Sequence, residues 1–298
     1  MKRKDSLTFH LLYGILYPIA HLPLCMLYPV SSFASWVLKD VAGYRRKVVV
    51  DNFRRAFPDA SDAEIRRWTD QFYRHLCDTF IESVKLLGIS DKEVDRRVKV
   101  FNAEIVDKAI EEGHSVVLFL GHYGNWEWVP AITRHFRNGA SMVQIYHPLR
   151  NKVFDRLMLK IRSRFGSESI PMASTYRRLV ELQRDKGFVA GFISDQRPAG
   201  HHTDNWTDFL GIETDYISGG EVIGDRLKCR YIYLDVQPAE RGYYNLTFRE
   251  IQPVDDGKEF PYTRSYLHLL EDTIRRNPPY WLWSHKRFSH RHKDNLMK

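Results

Sequence analysis

Cysteine is scarce in this chain of 298 residues. Cys25, Cys77 and Cys229 lie far apart and form no C-x-x-C pair, which argues against a disulfide framework and against a structural zinc site. The sequence also lacks internal repeats, low-complexity segments and any Gly-x-Ser-x-Gly motif. We therefore expect a protein suited to a reducing compartment, and we expect no acyl-serine intermediate of the kind that this motif supports.

Charged residues are missing from one long interval, between Asp5 and Lys39, where aliphatic and aromatic residues dominate. The interval of about 33 residues exceeds one ~20-residue membrane crossing and falls short of two, and its prolines disfavour a single straight helix. We expect residues 1–43 to form a hydrophobic, membrane-associating helical segment that is kinked or partly interfacial. A secretory signal peptide and a buried core helix are the alternatives, although no clear cleavage site follows the apolar run.

A basic cluster follows this segment and contains Arg45, Arg46, Lys47, Arg54 and Arg55. Basic residues beside a membrane segment favour the anionic, cytoplasmic face of the bilayer. The net charge of +8 suits anionic partners, among which nucleic acid must be considered. No helix-turn-helix, zinc-finger or RNP-like segment accompanies the charge, so we do not expect nucleic-acid binding.

Beyond residue 43 the patterns of helices and strands alternate. Ser61 and Glu64 form a capping box ahead of an apolar stripe from Ile65 to Leu87, which predicts a long amphipathic helix facing the core, with a membrane-facing role as the alternative. Further patterns predict strands at 115–120, 142–147, 188–194, 230–236 and 244–250, and helices at 153–165, 176–186 and 263–276. This alternation predicts one α/β domain over residues 44–298, with a mixed, largely parallel sheet flanked by helices.

The segment Gly121-His122-Tyr123-Gly124-Asn125-Trp126-Glu127 directly follows the first of these strand patterns. Its spacing of histidine and acid is weak support alone, because about 1.6 similarly spaced pairs are expected by chance from 13 histidines and 37 acidic residues. The context is stronger: a buried strand ahead, two glycines that allow a ligand close to the backbone, and two tryptophans that exclude water. A structural histidine is the alternative.

Several blocks in this order resemble the bacterial late acyltransferases of lipid A biosynthesis, within the lysophospholipid acyltransferase superfamily. They are the 121–127 segment, Tyr146-His147-Pro148-Leu149-Arg150-Asn151 with Asp155, Arg162-Ser163-Arg164-Phe165-Gly166, Ser194-Asp195-Gln196-Arg197-Pro198, and Tyr280-Trp281-Leu282-Trp283-Ser284-His285-Lys286-Arg287-Phe288. The resemblance covers nearly the whole chain, including the hydrophobic amino terminus. One departure is His147, which stands where the family usually has arginine and therefore concerns contacts with the acceptor or its head group.

The resemblance implies a glycerolipid acyltransferase-like fold and an enzyme at the cytoplasmic side of the cell inner membrane. It would move a fatty acyl chain from a thioester, with acyl carrier protein as the expected donor, to a hydroxyl of a phosphorylated glycolipid, the lipid A precursor. The basic charge suits the glycolipid, the acidic carrier protein and an anionic membrane surface. Another membrane lipid, such as a lysophospholipid, is the alternative acceptor, and a non-enzymatic membrane-surface protein is the alternative function.

A histidine suits this reaction, because a base with a pKa near neutrality can take the proton of a hydroxyl as it attacks the thioester carbonyl. We expect His122 to be the general base and Glu127 to orient its imidazole, as a carboxylate does in hydrolase triads. The resemblance implies two further catalytic residues and three substrate-binding residues: Arg162 and Asp195, and Asn125, Arg150 and Arg197. The arginine at 162 would bind acceptor phosphate or polarise the carbonyl.

No cofactor or metal is expected for direct acyl transfer. The group formed by His201, His202, Asp204 and Asp208 contains possible metal ligands, but its spacing matches no structural zinc pattern. We expect a solvated loop there.

Overall fold

The computed structural model describes residues 3–137, 139–198 and 205–289. Of the possible metal ligands considered above, His201, His202 and Asp204 lie outside the described residues. Within the described ranges, no group of three or more histidine, cysteine or acidic side chains is arranged to hold a metal ion.

The hydrophobic amino terminus forms helices α1 (Arg3–His21) and α2 (Leu24–Trp36), followed by a π-helical turn at Val37–Val41. The helices separate at Pro23, because proline disfavours helical geometry in the residue before it and serves well as the start of a new helix. In the part of the chain described, no helix by itself is long and apolar enough for a membrane crossing, whereas the segments Asp5–His21 and Leu24–Val41, bent by 119°, reach that length and composition as a pair.

Helices α3 (Arg46–Ala56) and α4 (Asp62–Lys85) come next, and both predicted interactions of the capping box at the start of α4 are present. The apolar stripe of α4 is buried at Ile65, Phe72 and Leu76, as expected. Phe80 departs from the expectation, since 66% of its surface is exposed. The stripe therefore reaches the surface at Phe80, whereas Leu87 at its end packs against the core again.

The remainder of the chain alternates strands with helices. Its elements are α5 (Asp91–Arg97), β1 (Val98–Phe101), α6 (Glu104–Glu111), β2 (Val116–Leu120), β3 (Ser141–Tyr146), α7 (Lys152–Arg162), β4 (Glu168–Pro171), α8 (Thr175–Asp185), β5 (Phe188–Ile193), β6 (Trp206–Phe209), β7 (Ile212–Asp215), α9 (Gly219–Leu227), β8 (Arg230–Glu240), β9 (Tyr243–Glu250) and α10 (Pro261–Arg276). A 3₁₀ segment, Trp126–His135, lies between β2 and β3.

These strands form a seven-stranded sheet in the order β1-β9-β8-β2-β5-β3-β4, and β6 and β7 form a separate antiparallel pair. Only the β8–β9 pair of the large sheet is antiparallel within the described residues. Core clusters cover both faces of the sheet, as expected for an α/β layer structure. The predicted α/β fold with a mixed, largely parallel sheet is confirmed.

The register of the central strands fixes the position of the site. Strands β2 and β5 are parallel neighbours, with Leu120 beside Ile193 at their carboxyl ends. The residues that follow them, including His122 and Asp195, therefore emerge together at one edge of the sheet. Ligands of open α/β sheets commonly bind outside the carboxyl ends of such strands.

The hydrophobic amino-terminal segment shares its core with the rest of the chain. Leu24 and Leu27 of α2 are nearly inaccessible, as is Ser31, and they lie against α4 and neighbouring elements. The division at residue 43 stays a prediction about domain organisation, but the helices before it are packed on the α/β body rather than extended away from it.

Candidate active site

The loop after β2 holds its shape through two glycines. A Cβ at Gly121 would lie 2.5 Å from a side-chain carbon of Leu270, and Gly124 has φ +59°, which favours glycine. The expectation was that these glycines would allow a ligand close to the backbone. The structure instead gives packing against α10 at the first position and a left-handed turn at the second.

Contacts from α4 and from the carboxyl-terminal segment fix this loop. The Nε2 atom of His75 lies 3.0 Å from the Gly124 carbonyl oxygen, and the Gly124 amide donates to the Tyr280 carbonyl at 3.0 Å. Tyr123 forms a β-bridge with Trp281. Burial lowers the pKa of His75 to about 4, so at neutral pH its ring is uncharged and acts as a donor to this carbonyl.

His122 is held by Asp195 at two points. Its backbone amide donates to Asp195 Oδ2 at 2.8 Å, and its Nδ1 atom lies 2.6 Å from Oδ1. Trp281 donates its indole N–H to the same Oδ2 at 2.7 Å. The carboxylate is 1% exposed, so three donors converge on a buried acceptor, as such a group requires.

This arrangement assigns the two nitrogens of His122. Burial opposes ionisation of Asp195, but the charge of His122 and the hydrogen bonds from His122 and Trp281 outweigh it and lower the pKa of the carboxyl group. An ionised acceptor beside Nδ1 places the imidazole proton there and leaves the lone pair on Nε2. The amide nitrogen of Gln196 lies 3.4 Å from Nε2, and Trp126 packs edge-on against the ring.

Glu127 is paired with Arg162 rather than with His122. Arg162 donates from Nε at 2.8 Å and from Nη2 at 2.6 Å, which is the two-pronged geometry of a strong arginine–carboxylate pair. The expectation that Glu127 orients the imidazole is therefore corrected, because Asp195 takes that position at Nδ1. The cause is sheet topology: β5 delivers Asp195 beside His122, while Glu127 begins the 3₁₀ segment and meets the end of α7.

Comparison with known proteins decides the family. A family model described as bacterial lipid A biosynthesis acyltransferase matches residues 3–290. The chain belongs to this family. The lipid A biosynthesis myristoyltransferase of Escherichia coli (strain K12) and the lipid A biosynthesis acyltransferase 1 of Shigella flexneri are each 23% identical to it over 214 residues.

Those two alignments cover 71% of this chain and 64% of each relative, so the match spans slightly less than two thirds of their length. The lipid A biosynthesis acyltransferase of Haemophilus influenzae is 20% identical over 235 residues, covering 78% of this chain and 72% of the relative. The resemblance predicted from the sequence blocks is therefore confirmed at the level of the family.

The three residues that the family resemblance assigns to substrate binding differ from one another in their surroundings. Asn125 is 1% exposed and contacts the protein on both sides of its amide, since Nδ2 donates to Glu82 at 2.7 Å and Oδ1 accepts the Glu127 N–H at 3.2 Å. It therefore supports the loop. Arg150 is exposed beyond β3, and Arg197 lies two residues after Asp195, with its side chain bonded to Ser289 Oγ at 2.8 Å.

A cavity of about 420 Å³ lies beside Gln196 and His285. Leucines and aromatic rings from the π-helical turn, α4 and the carboxyl-terminal segment form most of its wall, and Gln196 and His285 add polar groups. Gln196 also approaches Nε2 of His122, so one side chain contacts both the cavity and the imidazole. Its lining residues are Leu38, Tyr44, Arg45, Leu76, Phe80, Gln196, Leu282, Ser284 and His285.

Three supporting residues of the site were not predicted individually from the sequence: Trp281, His75 and Glu82. Trp281 lies within the 280–288 block that resembles the family, so that resemblance could have pointed to it. His75 and Glu82 lie on the predicted helix that became α4, and nothing in their spacing marks them. Their roles depend on the loop after β2 lying across α4, which is a tertiary contact.

Proposed function

We propose that this protein is an acyltransferase that moves a fatty acyl chain from an acyl thioester to a hydroxyl of a lipid A precursor. The observation that carries the proposal is the His122–Asp195 pair at the carboxyl end of β2, next to Gln196, which contacts Nε2 and also lines a largely apolar cavity. Membership of the lipid A acyltransferase family supports the same chemistry. The net charge of +8 favours a phosphorylated glycolipid as acceptor and an acidic acyl carrier protein as donor.

In the proposed reaction, the acceptor oxygen attacks the thioester carbonyl carbon while His122 Nε2 takes the hydroxyl proton. Asp195 stabilises the resulting imidazolium through Nδ1 and keeps the ring oriented. The tetrahedral intermediate then collapses with cleavage of the carbon–sulfur bond, and His122 returns the proton to the thiolate. The products are an ester on the lipid and a free carrier thiol, so atoms and protons balance without a covalent enzyme intermediate.

The Glu127–Arg162 pair has a separate proposed role, in binding and charge stabilisation. The pair uses Nε and Nη2 of Arg162, and we assign the remaining Nη1 group to acceptor phosphate or to the polarised carbonyl oxygen. Glu127 would hold the guanidinium plane in place for that contact. Arg150 and Arg197 would add positive charge around the acceptor, as the family resemblance implies.

The apolar surface of the first helices supports membrane association. Large hydrophobic side chains project outward from α1, α2, the π-helical turn and the adjoining part of α4: Leu7, Leu11, Ile15, Tyr17, Leu22, Met26, Val30, Phe33, Trp36, Val41, Tyr44 and Phe80. A concentration of exposed apolar side chains on neighbouring elements is typical of membrane contact, and aromatic residues favour the interface. Since Leu38 and Phe80 also line the cavity, lipid chains would have a short path to it. We propose the cytoplasmic face of the inner membrane as its location.

Identification of the acylated lipid tests this function. The full chain is incubated with acyl carrier thioester and, in parallel, with phosphorylated glycolipid precursor or lysophospholipid, and products are measured by mass spectrometry. We expect the glycolipid alone to gain the mass of the acyl group efficiently. Preferential acylation of lysophospholipid would replace the proposed acceptor, and no transfer to either lipid would contradict the enzymatic function.

A further inference from the structure

A buried carboxylate outside the reacting groups lies at the centre of a polar cluster. Glu82 on α4 is 0% exposed and accepts three hydrogen bonds, from Tyr28 at 2.9 Å, Asn125 at 2.7 Å and Tyr244 at 2.6 Å. Burial raises its pKa to about 7, while the bonds from Tyr244 and Asn125 oppose that shift. A buried carboxylate is costly unless hydrogen bonds satisfy it, and the three donors here come from three different parts of the fold: α2, the loop after β2, and β9.

One side of the cluster reaches the active-site loop. Asn125 passes the constraint on, because its Oδ1 atom accepts the Glu127 amide and caps the 3₁₀ segment that begins at Trp126. The indole N–H of Trp128 also donates to the Glu82 carbonyl at 3.0 Å. Glu82 therefore sets the position at which Glu127 enters its pair with Arg162.

The other side of the cluster reaches α2. Tyr28 connects α2 to Glu82, and one turn earlier on α4 Asp78 accepts from Ser31 at 2.5 Å and binds Arg241 at 2.7 and 2.8 Å. Both carboxylates thus bind α2 to α4. Only Glu82 also contacts Asn125, which makes Asp78 a natural control for the effect of holding α2 in place.

We infer that Glu82 is a positioning residue that connects the Tyr28 contact of α2 to the geometry of the Asn125–Glu127–Arg162 chain. The inference deepens the proposed function and rests on it. With α2 docked, Tyr28 and Tyr244 fix the carboxylate, and the carboxylate fixes the Asn125 amide. The membrane-facing helix and the substrate-binding pair would then be connected by four successive hydrogen bonds, and the three central residues, Glu82, Asn125 and Glu127, are buried.

An exchange of amide and carboxylate tests the contact. Asn125→Asp alone removes the amide donor and places a second carboxyl group against Glu82 where a 2.7 Å hydrogen bond now lies, so the two groups must separate or share a proton. A displacement of about 1 Å in the loop can cost about 10²-fold in rate. Adding Glu82→Gln places an amide N–H donor at the position of Oε2, which restores the pair with its polarity reversed and makes the Tyr244 hydroxyl an acceptor from the same amide group. We expect kcat to fall about 100-fold in Asn125→Asp and to recover at least about tenfold in the double variant, with KM for the carrier thioester changed less than about threefold in both.

The control is Asp78→Asn, which weakens the attachment of α2 through Ser31 and Arg241 but leaves the Tyr28–Glu82–Asn125 hydrogen bonds in place. It should lower the melting temperature but keep kcat within about threefold of the wild type. Hydrogen exchange over residues 121–135 supplies a readout independent of activity: exchange should rise in Asn125→Asp, return toward wild type in the double variant and stay low in Asp78→Asn.

Absence of rescue in a folded double variant, by both rate and exchange, would overturn the inference. An equal loss of kcat in Asp78→Asn would also overturn it, because general loosening of α2 would then be sufficient. If the wild type transfers no acyl group, the proposed function fails, and the exchange pattern still decides whether Glu82 positions the loop.

Discussion

Replacing Asp195 with asparagine keeps the size of the side chain and removes its charge. Oδ2 accepts from both the His122 amide and the Trp281 indole, whereas Oδ1 accepts only from His122 Nδ1. The single amide oxygen of an asparagine would therefore occupy the Oδ2 position, and its NH₂ group would face Nδ1. A donor at that point selects the tautomer with its proton on Nε2, which cannot take the acceptor proton.

The expected loss follows from this change of tautomer. Loss of a general base costs about 10²–10⁴-fold, and the same carboxylate-to-amide change in a serine protease triad costs about 10⁴-fold. We expect kcat of Asp195→Asn to fall about 10³-fold, equivalent to about 4 kcal/mol of transition-state stabilisation, with KM changed less than about threefold. Initial rates of lipid acylation by the purified full-length protein provide the measurement.

Asp235→Asn is the matched control, because Asp235 is also 1% exposed but pairs with Arg249 and Arg276 and, within the part of the chain that the structure describes, forms no hydrogen bond with His122. It should lower the melting temperature and leave kcat within about threefold of the wild type. A folded Asp195→Asn protein that retained more than about a tenth of the wild-type kcat would refute the tautomer argument.

Two further predictions concern the arginine pair and the loop. Arg162→Ala and Arg162→Lys should each reduce kcat/KM by about 10²-fold or more, because neither alanine nor lysine can reproduce the two-pronged contact with Glu127. Arg164→Ala, which removes a pair with Asp91, should reduce kcat/KM less than about threefold. Steady-state kinetics of the three variants check this prediction. His75 has a folded pKa of about 4 against an ordinary value of 6.5, so its unfolded form binds the proton more tightly and the free energy of unfolding should fall as pH drops from about 6.5 to about 4. His75→Gln keeps a donor and does not titrate, so the decrease in the free energy of unfolding over this pH range should be smaller in the variant by up to about 3 kcal/mol. The same pH dependence in both proteins would contradict the burial of a neutral ring.

Much of the fold follows from local patterns in the sequence. The predicted strands at 142–147 and 188–194 match β3 and β5 to within one residue at each end, and the capping box starts α4 as expected. The short strands β1 and β4 were not predicted, because four residues with mixed polarity give no clear period. Phe80 shows the limit of helical periodicity, which gives the apolar face of a helix but not where the neighbouring layer ends.

The residues proposed for the site come from the sequence, whereas their pairing comes from the structure. His122, Glu127, Arg162 and Asp195 all emerged from the motifs and the family resemblance, and the structure brings them into two hydrogen-bonded pairs. The pairing could not be derived from spacing, because Asp195 lies 73 residues from His122 along the chain. Nearness in sequence favoured Glu127 as the partner of the imidazole, whereas adjacency of β2 and β5 gave that place to Asp195.

In the proposed mechanism, His122 takes the proton of a lipid hydroxyl during acyl transfer from a thioester. The most direct measurement is mass spectrometry of the phosphorylated glycolipid after incubation with carrier-bound acyl thioester and either the wild-type protein or His122→Ala. The wild type should add the acyl mass to the lipid, and the folded His122→Ala protein should do so about 10²–10⁴-fold more slowly. Equal rates of acyl addition by the two proteins would contradict the mechanism.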